Sequence, residues 1–347
     1  MAKKTIDKAA LTALKKDLES GDIRPVYLLY GPEKYLLHHY EGRLVETALG
    51  SSGETFNLRR FDGASLTPDE LEGAVWTPPF GAPKAAVVVR DLDVQKDATW
   101  RQYLEELISD LPAHICLLFT YDALEFTPDM RGKLMKRIAE TGRIVEFAEQ
   151  ERGDLVSWLS RRFRALSKDI ARADAEYMIF RCGPLMEGLL MEVEKLASAT
   201  KGERITREAI DKITIPALDA VIYELCDHVV DKKTAKAVST YRELLAMKHE
   251  TYVLLAAVSR QFRQLYTLKL LTGEGPLSER DAMELSGVRS PYAVRRMLGT
   301  VRKLDESYLA HAVVRLSDTD FLLKSADVDR TRELELLLIS LSERLPV

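Results

Sequence analysis

Residues 31–34 decide what chemistry the first part of this chain could do. In PVYLLYGPEKYLL (residues 25–37) an apolar run enters a Gly31-Pro32 turn, and Glu33 and Lys34 open a helix-like stretch. A strand, a tight glycine turn and a helix N-terminus together make the setting of a phosphate-binding loop. Such a loop needs glycines that free backbone N–H groups, a lysine for the terminal phosphates and a hydroxyl for magnesium. Gly31 suits the turn, but Pro32 has no N–H, and Lys34 comes too early and lacks a following Ser or Thr. Glu33 puts a carboxylate at the helix N-terminus, where it complements the helix dipole and repels an anion. The expectation is a degenerate loop that binds no nucleotide, kept as a strand–helix joint.

Other chemistry-bearing residues give less. Asp91 and Asp93 follow the apolar run AAVVVR as a magnesium-holding acid would, but without a phosphate loop a capping or turn role is expected. His38 and His39 are adjacent, so on a helix they point about 100° apart and cannot share a metal. Neither His-x-x-x-His, Cys-x-x-Cys nor Gly-x-Ser-x-Gly occurs. Cys116, Cys182 and Cys226 are widely spaced and odd in number, which fits neither a disulfide framework nor a zinc site and suits a reducing cytosol.

A second kind of candidate is a surface rather than a catalyst. LEGAVWTPPFGAPK (71–84) places Trp76 and Phe80 beside Pro78 and Pro79 in a loop. An aromatic stiffened by proline is a good interface anchor, because less ordering entropy is lost on binding. The alternative is that Trp76 caps its helix against a sheet and Phe80 fills a core gap; Leu71 and Val75 have helical spacing and suit a core. Basic residues form a third set. SPYAVRRMLGTVRK carries Tyr292, Arg295, Arg296, Arg302 and Lys303 over more than one helix face. A solvated helix and a DNA or subunit contact both fit. Arg161, Arg162 and Arg164 read as an ordinary charged face.

The elements that position these residues fall into three parts. Within residues 1–148, strand-like segments at 26–30, 56–61, 85–90, 115–120 and 143–147 alternate with helix candidates at 34–48, 68–76, 98–109 and 128–140. Thr67-Pro68 and Thr127-Pro128 each suit an N-cap followed by proline at the first helical position. Alternation of this kind predicts right-handed crossovers and a parallel sheet covered on both faces. Ahead of it, Ile6, Leu11, Leu14 and Leu18 share one side of an amphipathic helix. Beyond residue 150 the strand signal ends. Three helices over 149–214 predict a small helical domain. Residues 215–347 predict a larger one, with helices near 218–231, 234–247, 249–272, 278–286, 290–303, 305–323 and 328–343.

The totals bound the function. At 347 residues with 46% apolar and 30% charged residues, the chain is a multi-domain globular protein. It has no run of about 18 uncharged apolar residues and no secretion-signal core, so a cytoplasmic protein without membrane contact is expected. A net charge of −4 means that nucleic-acid contact must come from a local basic patch.

With these residues set out, the chain resembles the delta subunit of bacterial DNA polymerase III, the clamp-opening member of the clamp loader. VYLLYGPEKYLL, WTPPFGAPKAAVVV, GPLMEGLLMEVEKLA, RQFRQLYTLKLL, GVRSPYAVRRML, DTDFLLKS and LELLLISL carry the resemblance in order from about residue 24 onward. It implies a RecA-like or AAA+-type α/β domain without a working phosphate loop, a small lid-like helical domain and a helical collar. It implies no cofactor and no intrinsic catalysis, with the chain a component of the polymerase III holoenzyme. The implied partners are the sliding clamp, the ATP-hydrolysing gamma/tau subunits and delta-prime in a hetero-pentamer, and primed DNA. Phe80 falls on the family's aromatic clamp anchor. Pro79 stands where a large apolar residue is frequent, so Trp76 or Val75 would share the load. Lys324 falls on the family's collar lysine. A degenerate NTPase acting on nucleic acid is the rival reading, opposed by the missing Gly-Lys-Ser/Thr. The delta-prime relative is a third, opposed by the lack of zinc-ligand cysteines and of a Ser-Arg-Cys turn.

Overall fold

The structure, a computed structural model, describes residues 8–50 and 54–344. Packing divides the chain into two compact units, residues 1–150 with 185–187, and residues 151–184 with 188–347.

The first unit runs α1 (Lys8–Ser20), β1 (Val26–Tyr30), α2 (Lys34–Leu49), α3 (Glu54–Asn57), β2 (Leu58–Asp62), α4 (Pro68–Val75), β3 (Ala85–Arg90), α5 (Ala98–Ser109), β4 (Ile115–Thr120), α6 (Lys133–Thr141) and β5 (Arg143–Glu146). The five strands form one parallel sheet in the order β2-β3-β4-β1-β5. Burial on both faces explains why the inner strands read as unbroken apolar runs. Leu28, Val87, Val89, Leu117 and Phe119 pack with Leu71, Val75, Trp100, Leu104 and Ile138. Their neighbours Tyr27, Leu29, Val88, Cys116 and Leu118 turn to Leu14, Leu18, Leu37, Leu44 and Val45. Each face thus has its own helical cover, α4 to α6 on one side and α1 with α2 on the other. Leu14 and Leu18 are buried and Leu11 is half-buried, while Ile6 lies outside the described residues.

The expected boundaries need two corrections here. Phe56 and Asn57 sit in the short α3 rather than at the start of a strand, so β2 begins at Leu58. The helix expected from Pro128 begins at Lys133 instead. Asp129 makes a local turn, its side chain accepting from Arg131 N–H and its carbonyl from Gly132 N–H. That alternative bonding outcompetes a helical start at Pro128. Thr67, by contrast, makes a full capping box with Glu70 at the head of α4.

The second unit runs α7 (Arg152–Ala165), β6 (Asp169–Ile170), α8 (Arg172–Cys182), α9 (Met186–Ala199), β7 (Arg204–Ile205), α10 (Arg207–Ile213), α11 (Leu218–Val230), α12 (Thr234–Ala246), α13 (Thr251–Gly273), α14 (Glu279–Ser286), α15 (Pro291–Val301), α16 (Glu306–Ser325) and α17 (Arg330–Glu343), of which the first turn of α9 clusters with the first unit. The two-residue parallel pair β6 and β7 corrects the expectation that no strand follows residue 150. Two residues are too few to show an alternating pattern. The core runs through α11 to α17, with Tyr241, Leu254, Phe262, Leu265, Leu309, Leu316, Leu334 and Leu338 buried. Among the described residues no helix is long and apolar enough to cross a membrane.

Candidate functional site: a filled loop and an exposed aromatic

Open parallel sheets place ligands beyond the carboxyl ends of their strands, where the strand order reverses. Here β1 lies between β4 and β5, so the Gly31–Lys34 loop occupies that position. The chain's own groups fill it. Gly31 has φ +123°, and a Cβ there would stand 2.4 Å from the Phe147 carbonyl oxygen, so this close approach requires glycine. The same oxygen accepts from Glu33 N–H at 2.9 Å, taking a donor that a phosphate would need. Lys34 Nζ donates to the Tyr121 carbonyl at 2.6 Å. The Glu33 carboxyl is buried, and both its oxygens accept from Met186 N–H, at 3.3 and 3.2 Å. Burial pushes its pKa up to about 7, against the opposing effect of the backbone hydrogen bonds it accepts. The acid therefore works less as a repelling charge than as a plug.

Asp91 has φ 55° and ties the loop after β4, accepting from Asp122, Ala123 and Leu124 N–H at 2.8 to 3.2 Å. Asp93 binds Lys96 through its backbone N–H and its ammonium. Both make turns of the expected kind. His38 faces Asp122 at 3.2 Å, and His39 packs edge-on against Tyr40. The three cysteines are free, and among the described residues no three His, Cys, Asp or Glu side chains gather to hold a metal.

The second candidate surface lies at the far end of α4. Leu71, Ala74 and Val75 face the sheet core, and Val75 is fully buried, which corrects its inclusion among surface contacts. Helical spacing sends residues 71, 74 and 75 to one face. Trp76 caps the helix through its backbone N–H to the Glu72 carbonyl, yet its side chain is 46% exposed. Pro79 is half-buried, and Phe80 stands 78% exposed beyond it. Two further residues accompany Phe80, and sequence reasoning does not find them. Asn57, almost fully buried, donates Nδ2–H to the Phe80 carbonyl at 3.0 Å and accepts Phe80 N–H on Oδ1 at 2.7 Å. Phe56 is 74% exposed, its ring 6.2 Å from that of Phe80 and inclined by 67°. Both lie where the local pattern predicts a strand, and a polar Asn beside an aromatic carries no local signal for such a role.

The basic set divides. Tyr292 packs against Tyr177 and Phe180 and accepts a hydrogen bond from Arg207. Arg295 pairs with Glu176 and Glu279, and Arg296 with Asp227. Tyr292 and Arg296 are half-buried and build the helical unit, whereas Arg295 stays exposed, as on a solvated helix face. Arg302, at the C-cap of α15, and Lys303 are exposed. Lys324 is exposed and pairs with Asp320 one turn earlier in α16. On α7, Arg162 lies over the Trp158 ring at 5.5 Å, and Arg161 and Arg164 are exposed.

A five-stranded parallel sheet in this order, with the loop after β1 packed by the chain's own groups and a helical unit following it in the chain, defines a protein of the RecA-like or AAA+ class. Family models give the particular branch. One described as "DNA polymerase III, delta subunit" matches residues 27–148, and one described as "DNA polymerase III delta subunit, C-terminal domain" matches residues 219–341. The chain belongs to the DNA polymerase III delta-subunit family, and so to the DNA replication machinery. Among its relatives, it is 25% identical to the DNA polymerase III subunit delta of Bacillus subtilis, over 95% of this chain and 96% of that one. It is 22% identical to a probable subunit delta of Aquifex aeolicus, over 92% and 91%. The solved DNA clamp loader delta protein of Bacillus subtilis shares its fold, with a TM-score of 0.50 at 23% identity over 96% of this chain and 100% of that one.

Proposed function

We propose that this chain binds the sliding clamp through the Phe80 loop and springs the clamp ring at one interface, so that the ring can be loaded on primed DNA. It does so without hydrolysing ATP and performs no catalysis of its own. The observation that carries this reading is the contrast between two places on one domain. The loop where a nucleotide would sit is packed with Glu33, Lys34 and the Phe147 carbonyl. The loop after α4 instead turns a large apolar ring out into water. Exposed aromatics on stiff loops serve as interface anchors. Trp76 shares the contact, and Pro79 stiffens it.

The energy for loading then comes from neighbours: ATP-hydrolysing gamma/tau subunits, with delta-prime, in a cytoplasmic hetero-pentamer. Residues 149–214 act as the small lid-like domain and 215–347 as the collar that joins those neighbours. Arg295, Arg302, Lys303 and Lys324 are the exposed basic residues available for DNA or subunit contact.

Calorimetric titration of the full chain tests this directly. The sliding clamp from the same cell should bind saturably, and MgATP should give no binding heat. Saturable MgATP binding together with an indifferent clamp would reverse the assignment.

A further inference from the structure

The Phe80 loop (residues 76–84) has no regular structure of its own, so something must decide where its ring points. Asn57 is the side chain placed to do that. It is 4% exposed, and both ends of its carboxamide bond to the backbone of one residue 23 positions away, N–H to Oδ1 and Nδ2–H to C=O. This two-point clasp imitates one rung of a β-ladder and fixes the Phe80 backbone in position and direction. It also sits directly after Phe56 in the chain, so the residue next to the clasp carries the second ring. The two rings meet edge to face, as aromatic pairs prefer, and each remains about three-quarters exposed. A paired aromatic surface in water, held by a buried polar clasp, is an interface feature rather than a core one.

We propose that Asn57 is a positioning residue for clamp binding and that Phe56 is the second ring of a two-phenylalanine anchor. This rests on the reading of Phe80 as a clamp contact. The occupant is an apolar pocket of the sliding clamp, because the Phe56 ring extends the surface already assigned to that partner. Asn57 acts by preorganisation: without it the loop samples many orientations, and binding must order it first.

The test is a double-mutant cycle on the full chain, with clamp affinity read by calorimetry and folding by thermal unfolding. Phe80→Ala should weaken binding at least tenfold. Asn57→Ala should weaken it about five- to tenfold alone, yet add little in the Phe80→Ala background, since it works through that ring. Phe56→Ala, at an exposed position, should weaken binding several-fold with an unchanged unfolding temperature, which keeps the proposal open to refutation if Asn57→Ala folds poorly. If Phe80→Ala binds like the parent, the clamp-anchor reading itself falls, and this inference with it. If Phe80→Ala binds weakly but Asn57→Ala adds its full cost on top, or Phe56→Ala binds like the parent, that reading survives and this inference alone is overturned.

Discussion

Arg143, at the start of β5, grips Asp17 of α1 with two parallel hydrogen bonds, Nε to Oδ2 at 2.7 Å and Nη2 to Oδ1 at 2.9 Å. Tyr27 of β1 donates its hydroxyl to the same carboxylate. Three elements 126 positions apart at their extremes are thereby joined at one nearly buried acid. Burial alone would raise the Asp17 pKa; the hydrogen bond and charge of Arg143, helped by Tyr27 and Arg24, outweigh it and hold it below the ordinary value.

That pair predicts an acid-sensitive latch. A carboxyl whose folded pKa is lowered stabilises the protein above its unfolded value, near 4, and the stabilisation is lost as pH falls through the folded value. Asp17→Asn should cost about 2 kcal/mol at pH 7, as expected for a charge-assisted pair with one partly exposed partner. Urea unfolding of parent and variant should show this gap closing toward pH 3. A gap that stays constant with pH would mean that the charge plays no part.

Glu33 predicts the opposite sign. Its folded pKa is raised, to about 7, so the unfolded chain loses its proton first and stability falls as pH rises from about 4 to 7. Glu33→Gln keeps an acceptor for Met186 N–H and removes that slope. Relative to the parent, the variant should gain up to ~3 kcal/mol between pH 4 and pH 8 and level off above. Carboxyl carbon NMR gives an independent reading, and a midpoint near the ordinary glutamate value would refute the buried plug.

The basic residues of α15 should separate by experiment. Arg296→Ala leaves Asp227 without its partner; burial already pushes that acid's pKa up, against the pull of Arg296. A loss of about 2 kcal/mol is expected, seen as a lower unfolding temperature. Arg302→Ala and Lys303→Ala, at exposed positions, should change stability by under ~0.5 kcal/mol. In the assembled loader on primed DNA these two should instead reduce the salt dependence of binding. Equal thermal effects in all three variants would contradict the division.

Much of the architecture is legible in local patterns. VYLLY, AAVVVR and ICLLFT form β1, β3 and β4 over the expected residues, because strands buried on both faces read as continuous apolar runs. Thr67-Pro68 opens α4 because its capping box lies within four residues, whereas Thr127-Pro128 opens nothing because Asp129 offers a competing turn. The loop after α4 exposes Phe80, as two prolines beside two aromatics lead one to expect.

What the sequence alone determined is thus the parallel α/β domain, the helices that follow it and a phosphate loop lacking its lysine and hydroxyl in the right place. Those follow from periodicity, turn residues and side-chain chemistry read over a few neighbouring positions. Only the tertiary structure decided that the Glu33 carboxyl is buried against Met186, that Arg296 pairs with Asp227 and Arg295 with Glu176 and Glu279, and that Asn57 holds Phe80. Each of these partners lies from 16 to more than 150 positions away in the chain, and the side chains involved are polar ones whose local pattern suits solvent equally well. Which polar group meets which is settled by packing, because burial makes an unpaired donor or charge too costly to leave.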